Sequence, residues 1–194
     1  MTDEGDMSAV GEFDEGAGTS WEYEHRYTVL VTHPAVCQAV YRSASRAEVG
    51  MSAEAFLAVA AEMVPLVGET LPGSAEQGRR LGAWLGFRRK ATREAQLGIP
   101  VGRAIARTLC SLALHGQGIR RVDQYVHGCS VTADIPSDVK TFGGVLAVTV
   151  TGTGNSTNVR AQAEIPGQLI DWGKSRQTLT AFLSDLELPL ELPE

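Results

Sequence analysis

The sequence predicts an α+β fold: a mostly antiparallel sheet with helices packed on one face and a C-terminal amphipathic helix. Three observations carry that expectation. The segments GGVLAVTVTG and TNVRAQAEI alternate apolar and polar residues on either side of a turn-rich connection, the pattern of a hairpin with one buried face. VGRAIARTLCSLALHG, and the later stretch holding Leu179, Phe182, Leu183 and Leu186, repeat apolar residues at helical spacing. Along the chain the order is strand, helix, helix, extended segment, helix, three strands, helix, which places helices against an antiparallel sheet.

In WEYEHRYTVLV, Trp21, Tyr23, Tyr27, Val29 and Val31 alternate with polar residues and predict a half-buried strand. Pro34 suits a first helical position, so AVCQAVYRSASRAE reads as a helix with Val36, Val40 and Ala44 inward. Ser52 caps the next helix, with Phe56, Leu57, Ala60, Val64 and Val67 on one face and Pro65 kinking or ending it. After the break LPGS, Leu81, Ala83, Leu85 and Phe87 alternate while Gly82 and Gly86 weaken a helix, so much of 81–98 reads as extended. Beyond Pro100, Val101, Ile105, Leu109 and Leu112 form the inner face of a helix, with Arg103 and Arg107 outside and Gly116 as its stop. IRRVDQYVHGCSVTADIPS reads as one strand interrupted near Gly128. The hairpin then presents Leu146, Val148 and Val150 beside Val159, Ala161, Ala163 and Ile165, joined through GTGNS. Asp171 caps the last helix, and LPLELPE reads as an extended tail.

A chain of 194 residues is large enough to bury a core without disulfide or metal staples. The expected organisation is an acidic tail over 1–20, one α+β domain over 21–187 with a possible sub-boundary near 70–90, and a tail over 188–194. The net charge of −6 is concentrated at the start. Asp3, Glu4, Asp6, Glu12, Asp14 and Glu15 fall within residues 1–20, which hold no Lys or Arg. Removing those six from 23 acids leaves as many acids as the 17 Lys and Arg. An acidic, Gly-rich leader of this kind buries too little apolar surface to offset its ordering entropy and reads as disordered. No stretch approaches the roughly 18 uncharged apolar residues of a membrane span, and no secretory pattern opens the chain. Cys37, Cys110 and Cys129 are far apart, which suits a reduced, cytoplasmic protein.

Candidate sites are few. His25, His33, His115 and His127 have no metal-ligand spacing, and neither a metal nor a cofactor is expected. His127 and Cys129, two apart on one strand, would share a face and form the single Cys/His pair with usable geometry. TGTGNSTN lacks the lysine and following helix of a phosphate loop and reads as a turn. Arg79, Arg80, Arg88, Arg89, Lys90 and Arg93 form a basic patch interleaved with Trp84 and Phe87, the composition of a nucleic-acid or membrane-surface grip. Against that role, the body carries no net positive charge. At the corner IPGQLIDWGKSRQTL, Lys174 and Arg176 stand at the unfavourable end of a helix dipole, where they suit a small anion or a partner's carboxylate.

The C-terminal hairpin, Gln168 and the run Asp171-Trp172-Gly173-Lys174 opening the last helix resemble small bacterial α+β proteins, over roughly residues 92–187; the resemblance implies no activity. An antiparallel sheet closed by a C-terminal helix is also similar, more loosely, to helix-grip ligand-binding folds. The resulting expectation is a non-enzymatic binding protein that takes a protein partner or a small apolar ligand between sheet and helices. The alternative is a nucleic-acid or anion-binding module using the basic 79–93 segment, regulated by the acidic leader. A Cys/His-dependent enzyme comes third.

Overall fold

A computed structural model describes residues 20–47, 50–67, 90–137, 143–165 and 173–188. The described chain opens with a 3-10 turn, Trp21–Tyr23, and a short helix α1, Tyr27–Leu30, where a strand was expected. The burial pattern gives the reason. Tyr27, Leu30 and Val31 are buried while Val29 is exposed, so the inward positions follow helical spacing and the alternation of two is incidental. Helix α2, Pro34–Ala44, begins at the proline as anticipated and buries Val36, Ala39, Val40 and Ala44. Helix α3, Ala53–Glu62, is capped by Ser52, whose Oγ accepts from the Ala55 amide at 3.2 Å. It ends before Pro65, because a proline disfavours helical geometry in the residue preceding it. Val64 therefore leaves the predicted apolar face and is 85% exposed.

Strand β1, Leu66–Val67, is followed among the described residues by β2, Lys90–Leu97. The extended reading holds over 90–97; residues 81–89 lie outside the described residues. Helix α4, Val101–Leu114, buries Val101, Ile105, Leu109 and Leu112 as expected, and also Ala104, Ala106, Thr108, Cys110 and Ser111. A helix buried nearly all round must be covered on more than one side. Strands β4, Gly128–Ile135, β5, Gly144–Thr153, and β6, Ser156–Glu164, cover it from the sheet, and α2 packs on it as well. Gly116, at φ 62°, ends α4 by bringing the Gln117 amide to the Leu112 carbonyl at 2.8 Å and its own amide to Ala113.

The segment 119–135 is two strands rather than one. β3, Ile119–Tyr125, turns through Val126 and His127 into β4, with Tyr125 paired to Gly128. The interruption seen in the sequence is thus a hairpin turn, and the meander has four strands. The sheet order is β1-β3-β4-β5-β6-β2; all pairings are antiparallel except that of β1 with β3. The protein is an α+β fold.

Register confirms the predicted core face. Leu146 pairs with Ala163, Val148 with Ala161 and Val150 with Val159, and all six are 0% exposed. Ala133, Val131 and Cys129 continue this face on β4. The opposite face carries Thr132, Thr149, Thr151, Arg160 and Gln162, partly open to solvent. Helix α5, Lys174–Glu187, packs against β2, β6 and α4, burying Leu179, Phe182 and Leu186. The residue at its N-cap position is Gly173, so the expected cap by Asp171 is not what precedes the first turn; Asp171 and Trp172 lie outside the described residues.

One side chain ties the N-terminal segment to the sheet. Gln124 Oε1 accepts from the Tyr27 amide at 2.8 Å, while its Nε2 donates to the His25 carbonyl at 2.9 Å and the Gly128 carbonyl at 2.8 Å. Nearby, Tyr27 donates its hydroxyl to the Ala60 carbonyl at 2.9 Å, which joins α1 to α3. The backbone at residues 21–24 also crosses α4 closely. A Cβ at Gly102 would stand 2.3 Å from the Trp21 carbonyl oxygen and 2.7 Å from those of Glu22 and Glu24.

Candidate functional site

The expected pair Lys174 and Arg176 is not brought together. Two positions on a helix stand about 200° apart. Lys174 turns toward the end of β4 and donates to the Pro136 carbonyl at 2.9 Å, whereas Arg176 is exposed on another side of α5. Of the basic patch, Arg79, Arg80, Arg88 and Arg89 lie outside the described residues. Lys90 begins β2, paired with Glu164, and Arg93 is an exposed residue paired with Ala161. His127 and Cys129 are separated as well. His127 occupies the exposed β3–β4 turn, while Cys129 is 0% exposed, and burial pushes its thiol up to about 12. The shared face expected of them fails because His127 is a turn residue, outside the pleat that gives alternation. Among the described residues no group of three His, Cys, Asp or Glu side chains could hold a metal, and no helix is long and apolar enough to cross a membrane.

Among the described residues, Ile105, Leu109, Leu146, Val148 and Leu179 pack between sheet and helices and are at most 1% exposed. Cavities open elsewhere among the described residues, two of them with polar linings. The first, about 250 Å³, opens between α2, α4 and the end of α5. Its basic lining is Arg42 in the last turn of α2, Arg46 just past that helix, and Arg107 on α4. Ser43, Ser111 and Asp185 supply its other polar groups. Helix packing creates this convergence: α2 lies along α4, so Arg42 on the first and Arg46 just beyond its end meet Arg107 on the second.

Arg107 is half-buried, contrary to the solvent position expected of it. Its Nη1 donates to the Leu186 carbonyl, while its Nε is buried without an acceptor. Burial, and then the like charge of Arg103, hold its guanidinium below the ordinary value, the condition of a cation short of neutralising charge. Cys110 also lines the cavity; burial raises its thiol to about 11, with the Ser43 hydroxyl acting in the opposite direction.

Asp185 lines the same cavity and is held by its neighbours. Its Oδ2 accepts from Ser111 Oγ at 2.6 Å and stands 2.8 Å from His115 Nε2. Serine, aspartate and histidine here differ from a nucleophile triad, because the hydroxyl donates to the carboxylate instead of to the imidazole. The arrangement clamps α4 to α5. On the far side of His115 lies the second cavity, about 550 Å³, lined by Gln117, Ser137, Lys174, Gln177 and Thr178 among others. Gln117 is 4% exposed, and its Oε1 has no donor.

Sequence reasoning missed the first cavity. Its trace in the sequence is the four-residue spacing of Arg42 with Arg46 and of Arg103 with Arg107, one helical turn each, which marks basic stripes without showing that they meet. Comparison with protein-family models, curated proteins and solved structures finds no match to this chain.

Proposed function

We propose that the protein is a non-enzymatic binding protein whose recognition site is the cavity between α2, α4 and the end of α5, and that it takes an anionic group there. The observation that supports this reading is the convergence of Arg42, Arg46 and Arg107 on one cavity, whose lining also includes Ser43, Ser111 and Asp185. Guanidinium groups present fixed forks of N–H donors that match carboxylate and phosphate oxygens, and partial burial strengthens such pairs relative to open solvent. Ala39, Leu114 and Leu188 add apolar wall, so the fitting ligand is small and carries its charge at one end.

The nucleic-acid alternative rests on a segment of which Arg93 alone is described with its side chain. Thermal unfolding in pyrophosphate against sodium chloride at matched ionic strength tests the reading. Pyrophosphate is expected to raise the Tm of the wild type by several degrees, and the gain is expected to vanish in Arg42→Gln/Arg46→Gln. An equal gain in both proteins would show general salt stabilisation and remove the cavity as the site.

A further inference from the structure

The second cavity, about 550 Å³, falls within the roughly 300–1,000 Å³ of small-molecule sites. It lies where the end of α4, the end of β4 and the start of α5 meet, and these walls are tied to one another. The Asp134 amide donates to the Gly118 carbonyl at 2.8 Å, which holds the chain after α4 to β4. Lys174 donates to the Pro136 carbonyl at 2.9 Å, which holds α5 to the end of β4. His115 Nε2 stands 2.8 Å from Asp185 Oδ2, which holds α4 to α5. Walls fixed in this way keep their shape before a ligand arrives, and such preorganisation lowers the cost of binding.

Gln117 is set into this wall by the turn that ends α4. Its backbone amide already serves the Leu112 carbonyl, and a Cβ at Gly50 would stand 2.7 Å from the Gly116 Cα, so the chain presses close against the turn. The residue is 4% exposed, yet its Oε1 has no donor. A buried carbonyl oxygen ordinarily has one, because an unpaired one keeps its full desolvation penalty. Gln117 lines the cavity, so an occupant of that space is placed to supply the donor. Ser137, Gln177 and Thr178 add hydroxyl and carboxamide groups, which both donate and accept. No Asp or Glu stands among the described lining residues to attract a cation. Ligand hydroxyls also donate and accept, and Ile135, Pro136 and Ala181 give apolar wall for C–H groups between them.

We propose that this cavity is a second binding site, for a small neutral polyol: one ligand hydroxyl donates to Gln117 Oε1, and others meet Ser137, Gln177 and Thr178. The site is independent of the anion-binding reading, since Arg42, Arg46 and Arg107 take no part in it.

The test titrates the full chain with myo-inositol at millimolar concentrations, and separately with acetamide, while amide proton–nitrogen NMR spectra are recorded. myo-Inositol is expected to give saturating shifts at the amides of Gly116, Gln117, Gln177 and Thr178. Gln117→Met keeps the length of the side chain and removes the acceptor, and it should weaken binding about tenfold, as for one lost hydrogen bond. Thr178→Val should weaken it about threefold, and it decides the matter if Gln117→Met does not fold. Arg42→Gln/Arg46→Gln should bind myo-inositol as the wild type does. Loss of binding in that variant would place the polyol in the first cavity and overturn the inference. Shifts of equal affinity in the wild type, Gln117→Met and Thr178→Val overturn it too, since the ligand then sits elsewhere. Saturation by acetamide without myo-inositol refutes the polyol assignment in favour of an amide ligand. Absence of saturating shifts with both probes refutes the site, whose occupant is then water.

Discussion

Replacing Gln124 with methionine separates the roles of shape and hydrogen bonding at the joint between the N-terminal helices and the sheet. Methionine has similar length and fills the same space, but it neither accepts from the Tyr27 amide nor donates to the His25 and Gly128 carbonyls. Tyr27 is 0% exposed, so water reaches its amide only if the segment lifts away. A buried group left without its partner costs about 1–3 kcal/mol, and the amide plus one orphaned carbonyl gives an expected loss of about 2–4 kcal/mol. Urea unfolding followed by far-ultraviolet circular dichroism reads this directly. With a slope of about 2 kcal/mol/M, the midpoint should fall by roughly 1–2 M. Gln162→Met on the opposite face of the sheet is the control, since Gln162 only donates to Thr92 at an exposed position, and surface changes stay within about 0.5 kcal/mol. A Gln124→Met midpoint indistinguishable from the control would refute the account, and the N-terminal segment would then be held by packing alone.

Further outcomes follow from burial and charge. The Arg26 guanidinium holds the Glu24 carboxyl down to about 2 from an ordinary 4.5, helped by the Arg26 and His25 amides. A carboxyl lowered on folding contributes stability above about 4.5 that is lost as pH falls toward 2. Because Arg26 is 60% exposed, solvent screens the pair and the contribution is small; Glu24→Gln should flatten that part of the pH–stability curve, and an unchanged slope counts against the pair. Cys129, raised to about 12, should resist a thiol reagent at pH 8 until the protein unfolds, while half-buried Cys37 reacts first; native labelling of Cys129 at the Cys37 rate contradicts its burial. Its contribution falls away as pH rises from about 9 toward 12, because there only the unfolded thiol ionises. Phe182→Ala should cost about 3–5 kcal/mol, since the ring is 1% exposed between α5 and the core; a loss below 1 kcal/mol would mean that α5 is not docked there.

Most of the fold was legible because it rests on local periodicity. The pairs around the β5–β6 hairpin, the start of α2 at Pro34, the Ser52 cap and the stop at Gly116 each follow from a few neighbouring residues. The failures share one cause. Tyr27, Leu30 and Val31 are apolar under either period, and only their docking beside Gln124 and Ala60 makes the segment helical. His127 looked like a strand residue until pairing of Tyr125 with Gly128 made it a turn. Arg107 looked like a solvent residue until α2 and α5 closed over it.

What the sequence by itself determined was therefore the α+β class, the apolar face of the hairpin and the charge of the leader, all properties of short stretches or of composition. Only tertiary structure decided the candidate site. Arg42 and Arg107 are 65 positions apart in sequence, and no local rule relates their orientations. The all-round burial of α4 brings α2 and α5 onto it, and that packing turns separate basic stripes into one cavity.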